Sequence, residues 1–245
     1  MSVIRRVASK VGLLKDKAAN AKPKSAFGGF RKRTITTREV VGNAVSLVPA
    51  IGTIYKVWLK HDIDPGFREE LMLAVSELNH CRYCTWAHHE WAHMVGVSDD
   101  ELAHVEQMDP TGFDRRKWLA ISYVRALVSA NFGPVDKALV REMKAKYTPV
   151  EIEEIEVVAR IMDIGNRGAN TWDAFVSRLR GGPVAETTIF DELVMSGGFL
   201  ITVPIVVLFL SRTSKRPLME MVRAVIDMIK IGETPPAKTA AKQAA

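Results

Sequence analysis

The sequence predicts an all-α fold, and three observations carry that expectation. From about residue 38 to 180 the chain reads as helix after helix, with few alternating β-branched runs. Breaks fall at DIDPG, GVSDD, MDPTG, NFGP and YTP. Ser98 with Glu101, and Thr148 with Glu151, have the spacing of capping boxes at helix starts. With 245 residues the chain can bury a real core, so size alone asks for no disulfide scaffold.

Ahead of the helical body lies a basic arm, residues 1–37. The net charge of the chain is +6, but residues 1 to 38 hold eleven Lys or Arg against Asp16 alone, which is +10 and leaves −4 for the rest. Val3, Ile4, Val7, Val11 and Leu14 recur at helical spacing among the cations and predict a short basic amphipathic helix, with a disordered tail as the alternative. AKPKSAFGGFRKRT then reads as a linker. Such an arm attracts anionic lipid or nucleic acid. Its aromatics, Phe27 and Phe30, do not interleave as a base-stacking surface would, so the expectation is an anionic membrane surface and no nucleic acid. Charges interrupt every apolar run of MSVIRRVASKVGLLKDK, so no secretory leader is expected and the body, residues 38–182, should fold in the cytoplasm, with association to the inner face of the membrane open.

Beyond Gly181, Gly182 and Pro183 the composition changes, and residues 183–232 form an apolar and amphipathic extension. Leu193 to Leu210 is 18 residues without a charge, long enough to be considered as a membrane span. Gly197, Gly198 and Pro204 weaken a simple span, and Arg212, Lys215 and Arg216 follow it, which leaves spanning, shallow insertion and a buried or oligomer-interface helix all open. In LMEMVRAVIDMIKI, residues Leu218, Met221, Val222, Val225, Met228 and Ile229 fall on one helical face. Residues 233–245 read as a disordered tail.

The chemistry concentrates in residues 69 to 102. The two cysteines are three positions apart, so they cannot close a long loop, and their use must be local. In a helix Cys81, Cys84 and His88 share a face at spacings of three and four. A thiolate attacks where a thiol does not, and a base one turn away can take the proton. A sulfenic acid formed on one sulfur condenses with a second cysteine in reach, so Cys84 beside His88 suits the attacking role and Cys81 the resolving one. Glu77, four residues before Cys81, is either a second proton acceptor or an ordinary helix-surface carboxylate. Trp86 and Trp91 either wall an apolar pocket or belong to the core, which their helical spacing favours.

Glu69, eleven intervening residues and then C-x-x-C-x-x-x-H over Cys81, Cys84 and His88 resemble the alkylhydroperoxidase D-like and carboxymuconolactone decarboxylase-like superfamily. The resemblance spans about residues 40 to 180, including Asn166 and Arg167 late in the domain. It implies a compact helical fold, thiol-dependent peroxidase activity without a cofactor, a peroxidatic Cys84, a resolving Cys81, and Glu69 with His88 as proton relay. It also implies a hydroperoxide substrate, a dithiol reductant such as a lipoyl-bearing protein, and a homo-oligomer, a trimer or hexamer. Alkylhydroperoxidase D has histidine between its cysteines where this chain has Tyr83, which makes Tyr83 an auxiliary candidate in an incomplete relay. Decarboxylases of the superfamily lack the cysteine pair, so decarboxylation is a poor reading.

Two other functional classes stay open. The arm and the apolar extension motivate a membrane-attached redox sensor or interaction module without turnover. His89, Glu90 and His93 spell H-E-x-x-H, the zinc-hydrolase spacing, although these positions overlap the superfamily pattern, which explains more residues.

Overall fold

The structure is a computed structural model that describes residues 30–231, among which every regular element is helical and no strand occurs. The expected amphipathic helix over Val3–Leu14 and the tail at residues 233–245 lie outside the described residues. Helix α1 (Thr37–Leu47) opens on a capping box between Thr36 and Glu39 and continues through a 3-10 turn (Val48–Ala50), the short α2 (Ile51–Tyr55) and a π turn (Lys56–Lys60). There follow α3 (Pro65–Leu78), α4 (Arg82–Met94), α5 (Asp99–Gln107), α6 (Arg115–Ser129), α7 (Lys137–Lys146), α8 (Pro149–Leu179), α9 (Ile189–Ser214) and α10 (Leu218–Ile231). Each breaker stretch in the sequence falls at a junction, and both expected capping boxes form at the starts of α5 and α8.

Helix α3 is the centre of the body. It packs against α4, α5, α6 and α8, and Leu71, Leu73, Ile121, Leu127 and Ile155 are fully buried around it. Enclosed on nearly every side, its buried positions run continuously from Gly66 to Ser76, except at Arg68, so the polar Glu69, Glu70 and Ser76 are also taken inside. Buried polar groups of this kind hold their place through hydrogen bonds.

The expected linker is more ordered at its end than its composition suggests. Ile35 donates its backbone N–H to Thr171 Oγ1 at 2.9 Å, Arg167 donates to the Thr34 carbonyl at 2.8 Å, and Lys32 pairs with Asp173. Residues 32–35 are therefore strapped along α8.

Helix α8 ends in a left-handed turn at Gly181 (φ 69°), with Gly182 N–H on the Ser177 carbonyl and Gly181 N–H on Arg178, the Schellman arrangement. The chain then folds back as α9, which packs on α8, α4 and α10. Helix α9 runs unbroken through Pro204. Its Phe199, Val207 and Leu210 are buried, while Ile201 and Ile205 are 69% and 63% exposed. On α10 the expected apolar face is buried at Met221 and Val225, whereas Leu218, the first residue of the helix, is exposed. Among the described residues two helical runs, Thr37–Lys60 and Ile189–Ser214, are long and apolar enough by length and composition to cross a membrane. Only 22% of the apolar window of each is buried, so the body covers one side of each and leaves the other bare.

Candidate active site

The turn between α3 and α4 sets the two cysteines. Helix α3 stops at Asn79, His80 takes the left-handed conformation (φ 54°), and Cys81 N–H reaches back to the Ser76 carbonyl at 3.0 Å. The residue that closes this motif is also the first cap of the next helix. Cys81 is thus the N-cap of α4, not a residue within a continuous helix as its spacing suggested, and its sulfur accepts from the Cys84 N–H at 3.4 Å. Cys81 and Cys84 are joined as a disulfide. Cys81 is fully buried, whereas Cys84 is half-buried and lines a cavity. In the reduced state both sulfurs would sit in the first turn of α4, where the unpaired N–H groups and the helix dipole favour a thiolate.

One turn along α4, His88 lines the same cavity. Its Nδ1 lies 2.7 Å from Oε2 of Glu69 on α3, and both side chains are buried. The other carboxylate oxygen of Glu69 accepts from Arg68 Nη2 at 3.0 Å and Nε at 3.2 Å. Burial pushes the Glu69 carboxyl up, but the hydrogen bond and charge of His88 and the charge of Arg68 outweigh it and hold the carboxyl below its usual range. An ionised Glu69 accepts and cannot donate, so in the neutral imidazole of His88 it is Nδ1 that carries the hydrogen and Nε2 that keeps a free lone pair.

The cavity encloses about 450 Å³ and is overwhelmingly apolar. Trp86 and Trp91 both line it, so their spacing, which favoured the core, reflects a wall of the pocket. The His88 and Trp91 rings lie 5.1 Å apart. Trp58 closes one side from the π turn, and Gly165 and Gly168 contribute from α8. Much of the remaining wall comes from the C-terminal extension, with Met195, Phe199, Val203 and Val207 of α9 and Val225 of α10. Phe199 stacks on Trp172 at 5.0 Å and meets the Tyr83 ring edge-on at 4.8 Å. None of these distant residues carries a local motif; the only signal for α9 was its length of uncharged sequence.

The remaining candidates are placed as follows. Glu77 accepts from Thr85 Oγ1 at 2.7 Å, which ties α3 to α4. The Tyr83 ring faces the cavity, but its hydroxyl donates to Asp173 Oδ1 at 2.8 Å and accepts from Arg82 at 3.1 Å. Burial, then the charge of Asp173, pushes that phenol far above its ordinary value. His89 pairs with Glu106, Glu90 with Arg216 and His93 with Asp99, so the H-E-x-x-H residues turn to three separate partners, although the two imidazoles lie 5.9 Å apart. Asn166 is fully buried, with Ser76 Oγ 3.4 Å from its Oδ1, and Arg167 pairs with Glu39.

Comparison with known families matches residues 52–126 to the model of the Carboxymuconolactone decarboxylase family. Neither the curated proteins nor the solved structures gave a match. The match begins within α2, ahead of Trp58, and ends within α6, so it takes in α3 and α4 but neither α8 nor the C-terminal helices that complete the cavity. The segment that holds Glu69, Cys81, Cys84 and His88 is thus similar to the carboxymuconolactone decarboxylase family over residues 52–126.

Proposed function

We propose that this chain is a thiol peroxidase that reduces hydroperoxides through a dithiol and disulfide cycle on Cys81 and Cys84. The observation that supports it best is the meeting of three groups at one place. Cys84 faces an apolar cavity, its disulfide partner Cys81 sits beneath it, and His88 shares the cavity with its far nitrogen held by a buried carboxylate.

In the reduced enzyme His88 Nε2 takes the Cys84 proton. The thiolate attacks the terminal oxygen of the hydroperoxide, the O–O bond breaks, and the departing alkoxide takes the proton back from His88 and leaves as an alcohol. Glu69 keeps its negative charge opposite the imidazolium that forms between those events, as a carboxylate does for a catalytic histidine. Cys81 then attacks the Cys84 sulfenic acid, water leaves and the disulfide forms. An external dithiol, such as a lipoyl-bearing protein, returns both cysteines to thiols by exchange. Since Cys81 is fully buried, that exchange starts at Cys84.

The test is intact mass after reduced protein meets substoichiometric cumene hydroperoxide. Joint loss of two hydrogens from Cys81 and Cys84, absent in Cys84→Ser, is the expected result; a wild type that stays reduced sinks the proposal. A redox sensor would oxidise in the same way, and steady-state turnover with a dithiol reductant separates it from an enzyme.

A further inference from the structure

Two helical runs that expose an apolar face among the described residues, Thr37–Lys60 and α9, both contribute to the wall of the Cys84 cavity. Gly198 and Thr202 of α9 line the cavity and are exposed, as is Gly165 of α8, and Trp58 lines it from the Thr37–Lys60 run. From this rim α9 carries Ile201 and Ile205 into solvent, and the Thr37–Lys60 run carries Ile51 and Leu59, 61% and 69% exposed. Val41, Val45, Val48, Ile51, Tyr55 and Leu59 recur every three or four residues, so the exposed side of that run is a continuous stripe. Apolar surface of this extent marks an interaction site.

Charge says what covers it. Lys56 and Lys60 stand exposed at the end of the first run, and Arg212 and Lys215 at the end of α9. The acids of these helices are engaged: Glu39 with Arg167, Asp191 with Thr188 and the Thr37 N–H, and Glu192 with Arg178. The first 29 residues add seven Lys or Arg against Asp16 alone, a charge of +6. Apolar faces flanked by cations complement an anionic lipid surface, in which side chains enter the acyl boundary and Lys and Arg meet the headgroups. A second copy of this chain would bring charge of the same sign.

We propose that this rim docks on an anionic bilayer and that the cavity takes from it an acyl-chain hydroperoxide of membrane lipid, whose terminal peroxide oxygen is transferred to Cys84. The substrate class rests on the thiol peroxidase reading. An acyl chain suits the lining, in which Cys84, His88 and Thr202 are among the few polar groups, and the rim lets it pass from lipid to sulfur without crossing water.

The test uses the full-length reduced chain with vesicles of phosphatidylcholine alone or mixed with phosphatidylglycerol, each with or without photo-oxidised phospholipid hydroperoxide. The protein should float with the anionic vesicles, and roughly tenfold less with the neutral ones. Ile201→Glu combined with Ile205→Glu should abolish flotation and slow Cys84 oxidation by vesicle-borne hydroperoxide by about tenfold or more, while cumene hydroperoxide from solution still oxidises that variant and so reports that it is folded. Failure to float overturns the proposal, as does a self-association in sedimentation that the same substitutions disrupt, which would make a second copy the occupant. If cumene hydroperoxide oxidises Cys84 and the lipid hydroperoxide on bound vesicles does not, the substrate class falls and the peroxidase reading stands. If neither oxidises it, the peroxidase reading itself has failed.

Discussion

The imidazole of His88 and the carboxylate of Glu69 approach to 2.7 Å across nineteen positions of sequence, buried between α3 and α4. The pair fixes the ring so that one nitrogen faces a carboxylate held below its usual range and the other is left without that partner. It also depends on Arg68, which occupies the second carboxylate oxygen. Glu69→Gln keeps an acceptor for Nδ1–H but removes the charge that stabilises an imidazolium. The rate of peroxide-driven disulfide formation should fall by about 10²-fold, the lower end of what a positioned acid and base contribute. Stopped-flow measurement of thiol loss checks this, and an unchanged rate would leave Glu69 a packing role only.

Glu70, the next residue, should behave in the opposite sense. It is fully buried, Lys117 reaches one oxygen at 3.1 Å, and the other oxygen has no hydrogen-bond partner. Burial raises its carboxyl above the ordinary value despite Lys117. A raised native value means that its contribution is fully present below the unfolded value of about 4.3 and is lost as pH rises through the native one, so ionisation of Glu70 costs stability at neutral pH. Glu69 has the reverse sign: its contribution is present above that unfolded value and is lost as pH falls through the depressed native one. Glu70→Gln should therefore raise the melting temperature at pH 7 by roughly 2–4 °C, the equivalent of about 1 kcal/mol in a chain of this size, and the gain should vanish near pH 4. Thermal melts at the two pH values decide it.

Most of what was legible in the sequence is local. The helix starts were written in Ser98 with Glu101 and Thr148 with Glu151, because a cap is satisfied within one turn. Spacing put Cys81, Cys84 and His88 on one face and the family resemblance added Glu69, and the structure brings Glu69 to His88 and Cys81 to Cys84. What spacing could not give is the break between α3 and α4. His80 in a left-handed turn makes Cys81 a cap, and an isolated histidine carries little signal for that conformation. Nor could it give the cavity, whose walls at Trp58, Gly165 and Phe199 are far apart in the chain and meet only through packing. The uncharged run from Leu193 to Leu210 was equally ambiguous, because α9 buries Phe199 and exposes Ile201 within the same apolar stretch.

Tyr83 occupies the position between the cysteines, yet its hydroxyl is committed to Asp173 and Arg82. Tyr83→Phe deletes that hydrogen bond, while Asp173 keeps Lys32 and Arg82, and the ring stays against Phe199. The peroxide rate should stay within about twofold of wild type, and stability should fall by about 1 kcal/mol, the usual worth of one such bond. A loss of rate like that expected for Glu69→Gln would instead place the phenol in the proton relay.

Gly165 tests the cavity as the route to Cys84. It lies on the rim within α8 and lines the cavity, and a Cβ built there meets nothing within 4 Å. Gly165→Leu should therefore place its Cβ in open space at the mouth and narrow it, and replacing a helix-interior glycine with leucine should add up to about 1 kcal/mol of stability. Hydrogen peroxide is small enough to pass the narrowed mouth, so its rate with Cys84 should be unchanged. Cumene hydroperoxide is not, and its rate should drop by about tenfold, a loss of roughly 1.4 kcal/mol in the approach to the transition state. Equal loss with both peroxides would mean that leucine disturbs the sulfur itself. No loss with either, in a variant whose melting temperature has risen, would mean that peroxides reach Cys84 by another path.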